Sequence, residues 1–150
     1  MELLAAIEAS APVAALKSSF YVYPLVNAAH IAAVGAVVAC AILMDLRLLG
    51  AFTMVEGLPF IRLMRRVAVA CFCVAALTGV TLFSVRASEY VFNPAFLAKL
   101  SLIGLAGLNL LVFRLAGGSD TPAGVARISA VLSMAIWLGA LTAGRFIGFL

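Results

Sequence analysis

An ionisable side chain inside an apolar, membrane-length segment is costly, so each one is a candidate for chemistry. This chain has a single histidine, His30. It lies about two turns inside a long apolar run, and Tyr23, Asn27 and Val34 share its face by helical spacing. An imidazole there has two uses. It is an axial ligand to haem, or a ligand to a transition metal, when one ring nitrogen faces the metal. It is a structural group when it stays neutral and hydrogen-bonds a neighbouring helix. Lys99 opens the third apolar run and Arg145 nearly closes the fourth, both at the depth of His30. A histidine below two cations makes a haem pocket in which the cations pair with the propionates. The competing reading is that both long side chains snorkel to the headgroups.

The other polar residues are fewer still. Asn109 falls near the middle of the third run, where an amide bonds across helices. Asp45 and Arg47 close the first run, ahead of Gly50. Asp45 is expected to pair with Arg47, Arg62 or Arg114 as a structural clamp, with Gly50 as the helix stop. A proton relay through Asp45 lacks partners across the membrane centre. Cys71 and Cys73 point about 200° apart on a helix and cannot share a metal. Cys40, Cys71 and Cys73 read as small buried hydrophobes, outside any disulfide framework. A second histidine for bis-histidine haem is absent from the subunit. So are a nucleophile–base pair, a phosphate loop and clustered carboxylates, and the chain by itself is not expected to be an enzyme.

The elements that position these residues follow from composition. Of 150 residues, 66% are hydrophobic and 11% charged, against about 25% charged in a soluble domain. Lipid must be the solvent for most of the outside. Apolar runs at 23–49, 67–84, 96–115 and 127–149 each approach the roughly 20 residues that span about 30 Å of hydrocarbon. They do not alternate polar with apolar, so helices rather than barrel strands satisfy their backbone. The fold class is all-α: a bundle of four transmembrane helices in one membrane domain over 1–150. Residues 1–19 divide at Pro12 into two mildly amphipathic pieces and form a short interfacial segment. Aromatic residues at 20–23 mark the headgroup level, and Pro24 suits a first helical turn.

The start is acidic and lacks a basic n-region, so no signal peptide is expected. Arg47, Arg62, Arg65, Arg66, Arg114 and Arg127 lie on one side, and Lys17, Arg86, Lys99 and Arg145 on the other. The positive-inside rule then puts both termini on the outer face of the membrane. Small residues recur at packing spacing: Ala28, Ala32 and Ala36; Gly104 and Gly107; Ala140, Gly144 and Gly148. Such stripes predict close helix packing or a homo-oligomer.

Several stretches resemble an uncharacterised family of small four-helix bacterial integral membrane proteins. They are Tyr23-Pro24-Leu25-Val26 with His30, Asp45-Leu46-Arg47-Leu48-Leu49-Gly50, Thr78-Gly79 with Leu82-Phe83, and Asn93-Pro94 with Phe96 and Lys99. Asn109, Ser133 with Trp137, and Ala143-Gly144-Arg145 complete them. More distantly the layout is similar to copper-resistance D and cytochrome b561-type membrane domains, which hold haem or metal through histidines. The resemblance implies a motif set at His30, Lys99, Asn109 and Arg145.

The leading expectation is a haem-b protein for electron transfer or redox sensing near the outer face. His30 is the axial ligand, Lys99 and Arg145 hold the propionates, and Tyr23 and Trp137 line the pocket. A single protein ligand leaves an iron position open, or filled from another subunit or by a non-histidine group. The alternative is a cofactor-free structural or assembly subunit, docked on partner membrane subunits, in which His30 and Arg145 are interhelical bonds. A third reading is a small transporter, which needs an oligomer. The lipid bilayer is the common partner; a net charge of +4 reads as topology and not as a nucleic-acid footprint.

Overall fold

The computed structural model describes residues 2–149, apart from the side chain of Ser119. In order the elements are α1 (Glu2–Glu8), α2 (Ala11–Ser18), α3 (Val22–Leu48), α4 (Gly57–Val85), α5 (Ala87–Tyr90) and α6 (Pro94–Leu115). A 3-10 turn (Gly118–Asp120) and α7 (Ala123–Phe146) complete the chain. No strand occurs among the described residues. Helices α3, α4, α6 and α7 are long and apolar enough to cross a membrane. The protein is an all-α, four-helix, multi-pass membrane bundle whose outward faces meet lipid.

Helix ends follow local chemistry. Helix α3 stops where Gly50 turns left-handed, at φ 99°. Gly50 N–H donates to the Arg47 carbonyl at 3.2 Å and Ala51 N–H to that of Leu46 at 2.9 Å. This is the Schellman arrangement, and Gly50 is the stop its position predicts. Helix α6 starts at Pro94, after Asn93, whose side chain accepts the Phe96 N–H at 3.1 Å. Helix α4 begins ten residues before the expected 67. Arg62, Arg65 and Arg66 interrupt the apolar run, but arginine is a good helix former and all three are exposed. The apolar run measures hydrocarbon thickness, whereas the helix continues beyond it. The N-terminal break falls at Ala9 and Ser10; Pro12 sits in the first turn of α2, where a missing N–H is harmless.

Helix α3 packs along α4 and α7, and α7 packs along α6. Helices α4 and α6 share no extended packing. In its most apolar stretch α3 is 33% buried, against 6% for α4 and 6% for α6. Helix α3 is therefore the central member. Its core face carries Ala33, Val37, Val38, Cys40 and Ala41. This differs from the small-residue reading: Ala28 and Ala32 are exposed, and Gly104 and Gly107 have open space around them. Spacing alone marks a stripe without choosing which side meets a neighbour. Ala140 and Gly144 do face inward. Among the cysteines Cys40 is buried, but Cys73 is exposed on the lipid side of α4. At the end near the termini, Phe83, Tyr90 and Phe96 stack in one cluster, with centroids 5.5 Å apart for Phe83 and Phe96 and 5.7 Å for Tyr90 and Phe96. This cluster ties the ends of α4, α5 and α6 together.

Candidate functional site

His30 reaches from α3 to α4. Its Nδ1 lies 3.0 Å from the Ala75 carbonyl and 3.0 Å from Thr78 Oγ1. The carbonyl only accepts, and Thr78 Oγ1 already donates to the Val74 carbonyl at 2.6 Å. The network therefore assigns the proton of a neutral ring to Nδ1 and leaves the lone pair on Nε2. Nε2 has no hydrogen-bond partner among the described residues. Gly79 makes the close approach possible: a Cβ there would lie 3.1 Å from His30 Cε1 and 3.6 Å from Nδ1.

Lys99 is half-buried in the first turns of α6, with Cδ and Nζ each 3.5 Å from where a Gly144 Cβ would lie. Its ammonium has no hydrogen bond or ion pair among the described residues and lies within electrostatic range of His30. Arg145 is placed differently. It is exposed, with its guanidinium carbon 4.7 Å from the centre of the Phe149 ring. The geometry thus brings Lys99 and His30 into one neighbourhood, while Arg145 stacks at the end of its own helix. Trp137 is half-buried on the α7 face that also carries Ala130, Ser133, Ala140 and Gly144. Tyr23 lines an open cavity of about 1020 Å³ at the end near the termini, with Lys17 and Arg86. By helical rise it stands about 10 Å along α3 from His30.

Asn109 is spent within the bundle. Its Nδ2 donates to the Ser129 carbonyl at 3.0 Å, and Ser129 Oγ donates to its Oδ1 at 3.2 Å. This is the expected bond across helices. Asp45 departs from expectation. It is 7% exposed, its Oδ2 has no partner, and it forms no ion pair with Arg47, Arg62 or Arg114. It faces Ser133 of α7 instead. Arg47 turns the other way, donating to the Val55 carbonyl at 3.3 Å and lying against Gly57. Two positions apart on a helix means about 200° of rotation, which separates the two charges. The one ion pair among the described residues joins Arg86 to Glu89 at 3.5 Å.

Sequence reading also missed a contact. Glu8 Oε1 accepts Ser88 N–H at 2.7 Å and Ser88 Oγ–H at 2.6 Å, tying α1 to α5. These bonds hold the Glu8 carboxyl below the usual carboxylate range. Eighty positions separate the partners, and no local signal announces such a pairing. Thr78 bonds its own helix at Val74 and carries a share of the His30 bond as well.

The fold and these contacts define a class: a small polytopic four-helix protein with an imidazole and an ammonium set in one half of its bundle. Compared with known proteins, the chain matches no family model, no curated protein and no solved structure.

Proposed function

We propose that the protein binds haem b within the half of the bundle near its termini and serves electron transfer or redox sensing. The observation that supports this is the hydrogen bonding of His30, which assigns its proton to Nδ1. Metal-ligating histidines characteristically donate their other ring N–H to a carbonyl or carboxylate, which fixes the ring and raises its basicity. His30 has that arrangement, with Nδ1 on the Ala75 carbonyl and Nε2 without a partner. The second donor also fits: Lys99 is a half-buried ammonium without a counter-anion, suited to a propionate. Arg145 instead stacks over Phe149. When bound, haem would supply reversible one-electron iron chemistry. The chain's own residues would orient the ligating imidazole through Ala75 and Thr78, neutralise a carboxylate at Lys99, and exclude water with apolar helix faces. With one histidine per chain, a second imidazole would have to come from another copy.

A second reading, a cofactor-free assembly subunit, is favoured by a different observation. Asn109–Ser129 and His30–Ala75 are complete interhelical ties, and α4 and α6 keep most of their apolar surface free for partner subunits. The excess of arginine at the ends opposite the termini supports an orientation with both termini outside, and the resemblance to small bacterial membrane proteins would make that membrane the inner one. A C-terminal reporter active only in the cytoplasm would refute that orientation.

The deciding experiment is the ultraviolet–visible spectrum of protein purified from haem-producing cells, before and after dithionite. A Soret band with sharp reduced α and β bands, lost in His30→Ala, is the expected result. A featureless spectrum with a stoichiometric co-purifying membrane protein would replace the haem reading with the assembly reading.

A further inference from the structure

The cavity of about 1020 Å³ above the α3/α4 seam belongs to none of the His30 chemistry. We propose that it holds the headgroup of a zwitterionic phospholipid bearing a primary ammonium, phosphatidylethanolamine in chemistry.

Depth is the first argument. Tyr21 and Tyr23 line the cavity, and tyrosine marks the headgroup level of a bilayer. A ligand pocket commonly measures about 300–1,000 Å³, so the space suits a headgroup with its glycerol.

The second argument is that the chain walls this space deliberately. Nothing in the four-helix bundle requires α1 and α2 to fold back over it. Yet Glu8 Oε1 takes both polar hydrogens of Ser88, at 2.7 and 2.6 Å, and so fastens the N-terminal arm across the end of α4 and α5.

Charge sets the class of ligand. The cavity is lined by two cations, Lys17 and Arg86, and two carboxylates, Glu8 and Glu89, of which Arg86 and Glu89 pair with each other at 3.5 Å. A purely anionic headgroup would meet both cations but also both carboxylates. A zwitterion answers each sign. Lys17 has no ion pair among the described residues, and Glu8 Oε2 takes no hydrogen bond there. These are an unused donor for the phosphate and an unused acceptor for the ammonium. A primary ammonium carries three donors for the carboxylates, which a quaternary one lacks. The remaining wall is apolar: Leu25, 67% exposed on α3, leads from the cavity towards the hydrocarbon and suits the start of an acyl chain.

This inference does not depend on haem. It is tested by native mass spectrometry of the full-length, detergent-purified protein, titrated with phosphatidylethanolamine, phosphatidylcholine and phosphatidylglycerol of identical acyl chains. Phosphatidylethanolamine should bind at least about threefold tighter than either of the others. Lys17→Ala or Glu89→Gln should lower its affinity about three- to fivefold, the range of a single exposed charge contact. Both positions are exposed, and an unchanged melting profile confirms that the variants fold. Arg127→Ala, at the far end of α7, should change nothing. Equal retention of the three lipids, tightest binding of phosphatidylglycerol, or full affinity in both cavity variants would overturn the proposal. Soluble phosphoethanolamine separates the two sources of the headgroup. Weak competition supports a lipid, whereas competition as tight as the lipid's own binding would overturn the lipid assignment.

Discussion

Gly79→Ala tests the His30 contact by a change of sign. The added Cβ would sit 3.1 Å from His30 Cε1, inside the carbon–carbon optimum of about 3.5–4.0 Å. The ring must retreat a few tenths of an ångström, which stretches the 3.0 Å bond from Nδ1 to Ala75. Overpacking costs about 1–3 kcal/mol, and a weakened interhelical hydrogen bond adds up to about 1 kcal/mol. Against this, alanine gains about 1 kcal/mol over glycine in a helix interior. The variant should therefore lose about 1–2 kcal/mol in the wild-type background. In His30→Ala nothing stands in the way, so the same change should stabilise by about 1 kcal/mol. The double-mutant cycle then carries a coupling of about 2–3 kcal/mol, well above the roughly 0.5 kcal/mol expected of independent sites. Unfolding by dodecyl sulfate in mixed micelles, followed by the fluorescence of the single tryptophan, Trp137, measures it. Equal effects in both backgrounds would refute the assigned ring position.

Other outcomes follow from the same contacts. Asn109→Ala should cost about 1 kcal/mol in that assay, since bonds between transmembrane helices average about 0.6 and reach about 1.7 kcal/mol; loss of the Ser129 hydroxyl alone should cost less. Gly50→Ala should cost about 1–2 kcal/mol from φ strain alone, because nothing lies within 4 Å of the new Cβ. The Glu8 carboxyl is lowered from its ordinary 4.5 in the folded chain by its Ser88 bonds, with Lys17 adding a little. Its contribution is thus complete above that ordinary value and disappears as pH falls through the lower folded value. The protection of the Ser88 amide, its exchange rate relative to the intrinsic rate at each pH, should be high at neutral pH and fall in acid. Glu8→Gln should flatten that dependence; a wild-type profile in the variant would show that Glu8 is not the titrating group.

Much of the fold was legible because lipid imposes a coarse rule. A backbone in hydrocarbon must satisfy itself, so four apolar runs of membrane length become four helices whatever their neighbours. The stop at Gly50 was legible for a local reason too: a left-handed residue after the last turn favours glycine. The extension of α4 to Gly57 was not, since hydropathy reports burial in lipid and arginine-rich turns stay helical in the interface.

Partner choice was the illegible part. Sequence spacing gave His30, Lys99 and Arg145 one depth, yet depth says nothing of azimuth. Azimuth turned Lys99 towards Gly144 and left Arg145 over Phe149. It also separated Asp45 from Arg47, against the expected clamp. By itself the sequence determined the number of spanning helices, their approximate limits and the scarcity of ionisable groups among them, because these depend on transfer free energy summed along a segment. Only the tertiary structure decided that α3 is central, that His30 spends Nδ1 on Ala75 and keeps Nε2, and that Glu8 closes on Ser88. Those outcomes depend on which faces meet, and in lipid an apolar side chain gains little by choosing one apolar neighbour over another.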